Sequence, residues 1–351
     1  MKIGFFGGNF LIPIIKSLER LSNFSISYYN FSKDLDILIT GSHFYMYDVL
    51  KYMKKIKDNN IKLVNIILDI PPWRLEQNYF LNTPLRLLKQ YAYDLYYKFK
   101  YKMDIANLMN RSDYLSNILS SIEKRVLGQY LKNRIFYQYN YRTFLKKSDL
   151  NLSISFYTKK LVEKFLKIKS KVWYPGVNSD ILEDIPKNLE KKYDAINISR
   201  IARNKRQEIF VKAANRLNLK ILVIGRYNDK SIHLNCSHRH IPDHKKVFKI
   251  LSQSHFYVDP SEFEGFGLTP VEAAFLEKPV IASDTFVHRE ILGNFPLYFK
   301  TNDVDDLTKK MKMVIEGTYC PDKNEIKRIK KLYNIDAAMK RLKVFLEDLL
   351  P

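Results

Sequence analysis

The chain has 351 residues, 46% of them hydrophobic, and its 59 Lys+Arg against 37 Asp+Glu give a formal charge of +22. The apolar share fills large cores and excludes disorder, while the length exceeds one ordinary domain; 11 scattered glycines and 13 prolines exclude collagen-like and low-complexity sequence. The charge balance points to anionic partners: phosphates, nucleic acid or an acidic membrane face. Two cysteines, Cys236 and Cys320, cannot build a disulfide framework, so a reducing, cytoplasmic location is expected. No stretch reaches the roughly 20 apolar residues that span a bilayer, which limits any membrane contact to the periphery.

In chain order, residues 2–6 read as a short buried strand ending in the tight turn Gly7-Gly8, after which Ile12, Ile15, Leu18 and Leu21 recur at helical spacing. Gly7, Gly8 and Pro13 inside this apolar run, and Lys16, Glu19 and Arg20 at its end, argue for a strand and glycine turn over a signal peptide. Apolar runs at 36–40 and 63–68 have strand length and alternate with helical sequence at 48–57, the pattern of a parallel sheet covered by helices. From 84 to about 145 the sequence turns long, helical, aromatic and basic. A strand at 150–154, a helix capped by Ser155 and running to about 167, and a strand at 171–174 closed by Pro175-Gly176 follow. The polar stretch 178–192 reads as a linker between domains. A second series has strands at 194–198, 220–224, 256–258 and 280–282. Its helices fall at 205–217, at 244–252, after Pro270, and at 303–316 and 334–350.

The stretch from Pro260 to Ala274 lies between a strand and a helix. Gly265 and Gly267 permit close backbone approach, so free amides at the helix start can face an anion, as in a phosphate or sugar cradle. Glu264 sits in the loop and Glu272 eight positions later, about two helical turns on, so that one carboxylate can grip each end of an elongated, hydroxyl-rich ligand. Arg200 and Lys205 follow the strand 194–198, at the carboxyl edge where open α/β sheets bind ligands; two cations there suit a diphosphate.

These segments resemble the retaining glycosyltransferases of family 4. The resemblance runs from Gly7-Gly8 through 152–159 and 173–177 to the C-terminal helix and is most specific between 197 and 290. It implies an α/β chain of GT-B architecture: two facing Rossmann-like domains with parallel sheets. An acceptor-binding domain would span 1–180, joined by a C-terminal helix at 330–351 that crosses back to it, and a nucleotide-sugar-binding domain 181–329. It implies that Glu264 contacts donor-sugar hydroxyls, Glu272 binds the ribose, and Arg200 and Lys205 neutralise the diphosphate. Amides of Phe266, Gly267, Leu268 and Thr269 would complete the cradle, with Gly7 and Gly8 near the reacting centre. The run from Ala282 to Asp284 and on through Arg289 and Glu290 resembles the family's next sheet-edge segment. The implied reaction moves a sugar from a nucleotide-diphosphate sugar to a glycan acceptor, with retention and without a cofactor or catalytic metal. Cations preorganised around the leaving nucleotide stabilise its charge, and domain closure excludes water. The sequence departs from the family at a His-Asp pair: Leu68 stands before Asp69, so Asp69 carries over as a candidate catalytic residue and the His does not.

Two Asp-x-Asp triplets, at Asp34 and Asp36 and at Asp303 and Asp305, invite a metal-dependent reading; the first precedes a strand and the second starts a helix, so both read as structural. Cys236, His238, His240 and His244 lack a second ligand pair at zinc-site spacing and read as a polar surface loop near the donor base. Residues 84–147 carry 13 basic and 4 acidic side chains, and in the segment from Arg86 to Lys102 Tyr91, Tyr93, Tyr96, Tyr97, Phe99 and Tyr101 are interleaved among lysines. That pattern suits an amphipathic helix on the anionic cytoplasmic membrane face and hence a lipid-linked glycan acceptor. An ordinary helix packing its rings inward accounts for it equally well. Two other readings stand beside the transferase: a GT-B-fold sugar-nucleotide epimerase or hydrolase, and a basic nucleic-acid-binding protein supported only by charge and Tyr/Lys interleaving. No nucleic-acid partner is expected.

Overall fold

The computed structural model describes residues 1–7, 11–21, 24–41, 45–68, 136–186, 189–228 and 232–350, and element labels below number the elements among them. The first sheet holds β1 (Lys2–Gly7), β2 (Ser25–Tyr28), β3 (Ile37–Gly41), β4 (Lys62–Ile67), β5 (Leu150–Ser153) and β6 (Lys171–Val172) in the order β2-β1-β3-β4-β5-β6. The second holds β7 (Tyr193–Ile198), β8 (Ile221–Ile224), β9 (Ser237–Arg239), β10 (Ser254–Asp259), β11 (Val280–Ser283) and β12 (Leu297–Phe299) in the order β12-β11-β10-β7-β8-β9. Every pairing is parallel. Central strands such as Ile37–Gly41 and Ile221–Ile224 are buried along their whole length, as sheets covered on both faces require. In each sheet the strand order reverses beside the first strand, β1 against β3 and β7 against β10, which opens a crevice at the carboxyl edge.

In the first series the helices are α1 (Ile12–Leu21), α2 (Met46–Leu50), α3 (Met53–Asp58), α4 (Arg142–Lys146), α5 (Phe156–Leu161) and α6 (Ser179–Glu183). A π-helical turn, Phe136–Tyr141, leads into α4 and another, Val162–Leu166, extends α5. The second series has α7 (Gln207–Arg216), α8 (His244–Ser252), α9 (Leu268–Phe275), α10 (Phe286–Leu292), α11 (Val304–Ile315), α12 (Lys323–Tyr333) and α13 (Ile335–Glu347). Ser155 caps α5 as its sequence predicts, accepting the Thr158 amide at 3.0 Å.

Several elements differ from the sequence reading. The edge strands β2, β9 and β12 and the helices α10 and α12 were not expected, and α6 lies inside the stretch read as a linker. The edge strands are three or four residues long and partly exposed, so they lack the apolar run that marks a buried strand. The helix expected at 205–217 begins two residues later, because Arg206 adopts a left-handed φ of 50° after a 3₁₀ turn at Arg203–Lys205. Pro270 falls within the first turn of α9, where its missing N–H costs nothing, so that helix starts at Leu268.

The chain returns to the first domain at Asn334. A Cβ at Gly176 would stand 2.8 Å from the Asn334 carbonyl oxygen and from Ile335 Cα, so only glycine lets the two segments pass. The Val177 amide donates to the Tyr333 carbonyl at 2.8 Å, and Asn334 caps α13 by accepting the Ala337 amide at 2.7 Å. From there α13 packs along α1, with Arg20 of α1 3.9 Å from Asp336 of α13 and paired to Asp180 of α6 at 2.7 Å. Trp173 is fully buried beneath it and donates from Nε1 to the Ala338 carbonyl at 2.9 Å, which satisfies the one polar atom of a side chain whose burial is worth about 2–3 kcal/mol. Among the described residues no helix is long and apolar enough to cross a membrane.

Candidate active site

At the carboxyl end of β7 a buried polar chain orders the following loop. Asn197 donates to the Val258 carbonyl at 2.9 Å, the Ser199 hydroxyl donates to Asn197 Oδ1 at 2.9 Å, and the Gln207 amide donates to Ser199 Oγ at 2.7 Å and to the Arg200 carbonyl at 2.8 Å. Every donor in this chain of bonds has its acceptor, and Gln207 Oε1 alone of its atoms is buried without a partner. The network leaves the Arg200 side chain exposed, with no side-chain hydrogen bond or ion pair among the described residues. Lys205 turns inward and pairs with Glu264, with only 10% and 15% of the two side chains exposed. Arg206 pairs with Glu262 at 2.8 Å, and the Glu262 amide donates to the Asn204 carbonyl at 3.0 Å. The loop after β7 and the loop after β10 are thereby joined.

Beneath the second loop, Asp259 accepts the Ser261 amide at 3.1 Å, and the Ser283 hydroxyl donates to the Ser261 carbonyl. His288 is fully buried on α10, with Nδ1 2.9 Å from the Ser283 carbonyl and Nε2 3.8 Å from Asp259 Oδ2. Gly267 takes a left-handed φ of 82° and begins α9 without a side-chain cap, so the first amides of that helix have neither an intrahelical nor a capping acceptor. Leu268 and Thr269 form this first turn, half-buried; the Phe266 ring is buried against Tyr333 at 5.3 Å, which leaves its backbone for a ligand. Glu272 lies one turn further, has no side-chain partner among the described residues, and has its carboxyl pushed up to about 7 by burial. The buried Tyr257 phenol is pushed well up by burial, then by Asp259, Glu264 and Glu272, which puts those carboxylates within electrostatic reach of one point under the cleft.

On the facing sheet Gly7 ends β1 in register with Gly41 of β3, and the Tyr29 hydroxyl donates to its carbonyl. The Phe5 ring fills the space a Cβ at Gly7 would need. Gly8 and Asp69 lie outside the described residues, as does the aromatic basic stretch as far as 135. Both Asp-x-Asp triplets serve structure: Asp34 pairs with Lys2, Asp36 accepts the Lys2 amide at 2.7 Å, and Asp303 caps α11 by accepting the amides of Asp305 and Asp306, each at 3.0 Å. His238 belongs to strand β9 and contacts the Gly225 carbonyl at 2.6 Å, which corrects the reading of 236–244 as a loop throughout. Among the described residues no three His, Cys, Asp or Glu side chains gather as a metal site. Sequence reasoning passed over Gly225, whose added Cβ would overlap the Ser199 carbonyl oxygen; a glycine directly after the strand β8 was the available signal.

The arrangement offers a shielded ammonium, a guanidinium free of partners among the described residues and uncapped helix amides along one sheet edge. Together they can bind a diphosphate and stabilise negative charge that develops on it. Residues 179–332 match the family of glycosyl transferases group 1. The chain is 28% identical over 199 residues to an uncharacterized glycosyltransferase of Methanocaldococcus jannaschii, covering 53% of this chain and 55% of that one. It is 27% identical over 150 residues to a protein of Acidianus filamentous virus 2, covering 41% of this chain and 37% of that one, so it spans about half the length or less of these curated relatives. Among solved structures, HepE of Anabaena in complex with UDP-glucose superposes with a TM-score of 0.66 at 11% identity, covering 99% of this chain and 100% of that one. Two six-stranded parallel sheets with flanking helices, facing carboxyl edges and a last helix that returns to the first domain make this a GT-B fold.

Proposed function

We propose that the chain is a glycosyltransferase that moves a sugar, of the hexose type, from a nucleotide-diphosphate sugar to a glycan acceptor. The observation that carries this reading is the shielded Lys205–Glu264 pair beside the unpaired Arg200, at the carboxyl edge of a sheet whose next helix starts uncapped at Gly267. Lys205 and Arg200 hold the diphosphate and stabilise it as it departs, Glu264 contacts hydroxyls of the sugar, and Glu272 accepts from the ribose. The match of residues 179–332 to a glycosyltransferase family supports it, and because HepE is seen in complex with UDP-glucose, UDP is the first nucleotide to test.

In this reading transfer proceeds with retention at the anomeric carbon and needs no catalytic metal; the acceptor is a lipid-linked glycan at an anionic membrane face, suggested by the basic, aromatic sequence at 84–147. Thermal melts with UDP, GDP, ADP and TDP, with and without magnesium, test donor binding, because a ligand raises stability with the logarithm of its saturation. One nucleotide should stabilise the protein equally in EDTA. Arg200→Ala should weaken it about tenfold without changing the melting point of the free protein, since that side chain has no partner to lose. NMR of the product's anomeric proton then reads the stereochemistry. Equal affinity in the variant, or no shift with any nucleotide, counts against the reading.

A further inference from the structure

Glu290 stands on α10 in the second domain, yet the other domain holds its carboxylate. Oε1 accepts the Phe156 amide at 2.6 Å and the Tyr174 hydroxyl at 3.0 Å, and Oε2 accepts the Tyr157 amide at 2.9 Å. Phe156 and Tyr157 are the first two residues of α5, whose amides have no partner within the helix. Ser155, the residue that caps α5 from its own chain segment, reaches only Thr158. The cap is therefore divided between domains: Ser155 takes the third amide, and Glu290 takes the first two, where the helix dipole also favours a negative charge. Burial and the Glu290 carboxylate push the Tyr174 phenol up, so it stays a donor.

The residues that Glu290 binds, with the adjoining Thr158, also touch the loop that carries Glu264. The Tyr157 ring lies 6.0 Å from the Phe263 ring, the Thr158 hydroxyl donates to the Gly265 carbonyl at 3.3 Å, and the Tyr174 ring lies 6.4 Å from the Phe266 ring. We propose that Glu290 is a positioning residue: by completing the cap of α5 from across the domain boundary, it fixes Tyr157, Thr158 and Tyr174 against residues 263–266 and so holds the Glu264 side of the site in register with the first domain. The kinetic consequence rests on the glycosyltransferase reading; the structural one does not.

Hydrogen exchange and steady-state kinetics on the full chain test it with Glu290→Gln, Glu290→Asp and Tyr174→Phe. In E290Q the side-chain NH₂ faces a donor, so peptides covering 155–160 and 262–267 should exchange about tenfold faster while those covering β10 keep their protection. Turnover should fall about ten- to a hundredfold with KM for the donor nearly unchanged, because geometry rather than binding is lost. E290D keeps the charge and should recover part of both, and Y174F, which removes one of the three bonds, should show the same pattern more weakly. Unchanged exchange at 155–160 in E290Q overturns the shared cap. Faster exchange there with 262–267 and turnover unaltered overturns the positioning role. Should the wild-type chain transfer no sugar, the exchange at 262–267 still decides the inference, and the glycosyltransferase reading alone falls. If E290Q fails to fold, Y174F carries the same comparison.

Discussion

The carboxyl edges of the two sheets face one another but are built from different materials. The second edge is polar and locked: Asn197, Ser199 and Gln207 form one chain of bonds, Lys205 pairs with Glu264 and Arg206 with Glu262. The first, among the described residues, is aromatic: Phe6 meets Tyr29 edge-on at 6.0 Å and Tyr52 at 6.3 Å, Phe31 stacks on Tyr52 at 4.5 Å, and Tyr29 lies 5.8 Å from Tyr45. Desolvated charges cost free energy unless each has its partner, so a polar edge tolerates little change and fixes where a charged ligand sits. Rings contribute through area and offset contacts, which one ring can replace for another. The difference predicts that removing a charge from the second edge costs more than exchanging one ring for another on the first.

The largest effects should come from breaking the polar edge. Lys205→Met and Glu264→Gln should each lower turnover about a hundred- to a thousandfold, the range expected when a preorganised group at a developing charge is lost, with cooperative melting retained. Activity within a factor of two of wild type in either variant would remove the pair from the site. Glycines sharpen the contrast next. Gly225→Ala drives a Cβ into the Ser199 carbonyl oxygen, so the loop bearing Arg200 must shift, at about 3 kcal/mol by denaturant melting and with weaker nucleotide binding. On the first sheet, Gly4→Ala crowds the methyl ends of Leu35 and Leu38 at 2.7 Å, which can rotate away, and meets the Asn30 carbonyl oxygen at an ordinary 3.7 Å, so it should cost about half as much and leave binding intact. Equal costs at the two positions would mean that both edges are equally rigid.

This asymmetry also governs what was legible from the sequence. The strand near 194–198, the cations after it and the glycine loop with Glu264 and Glu272 could be read because a charged site needs particular residue types at particular spacings. The strands β2, β9 and β12 could not: they are short, partly exposed and defined by a neighbour already in the sheet rather than by their own pattern. Ser155 announced its helix, but the other half of that cap came from Glu290, 134 residues beyond Phe156, and no local rule predicts such a partner. Gly176 was visible as a turn glycine, whereas the reason for it, the passage of Asn334 and Ile335, is tertiary. The aromatic edge was the least legible part, since rings at half-buried positions obey no spacing that separates a ligand wall from a core.

A smaller effect should appear in the pH dependence of the polar edge. Burial raises Glu272 from an ordinary value of 4.5 to about 7, so between those pH values the folded chain binds more protons than the unfolded one. Stability therefore falls as pH rises from about 4.5 to 7 and stays lowered above it. With part of the group open to solvent, the loss should be ~1–2 kcal/mol, less than the bare shift implies. Glu272→Gln should abolish that slope and melt higher than wild type at pH 8, while binding nucleotide more weakly. Parallel stability curves for the two proteins from pH 5 to 8 would show that Glu272 does not titrate there.

The smallest effect tests whether the aromatic edge depends on its polar atoms at all. The Tyr29 hydroxyl donates to the Gly7 carbonyl from a residue with a left-handed φ of 53°, and burial followed by a hydrogen bond to Tyr45 pushes its phenol up to about 12. Tyr29→Phe removes both hydrogen bonds but keeps the ring contacts with Phe6 and Tyr45, and the residue is 45% exposed, so water can serve the freed carbonyl. The cost should be about 0.5–1 kcal/mol, and turnover should stay within about a factor of two. Tyr29→Ala, which deletes the ring as well, should cost about 2 kcal/mol more. If the loss of the hydroxyl alone matched the loss of the ring, the edge at Gly7 would be held by hydrogen bonding, as the second edge is, and the two faces of the cleft would follow one design.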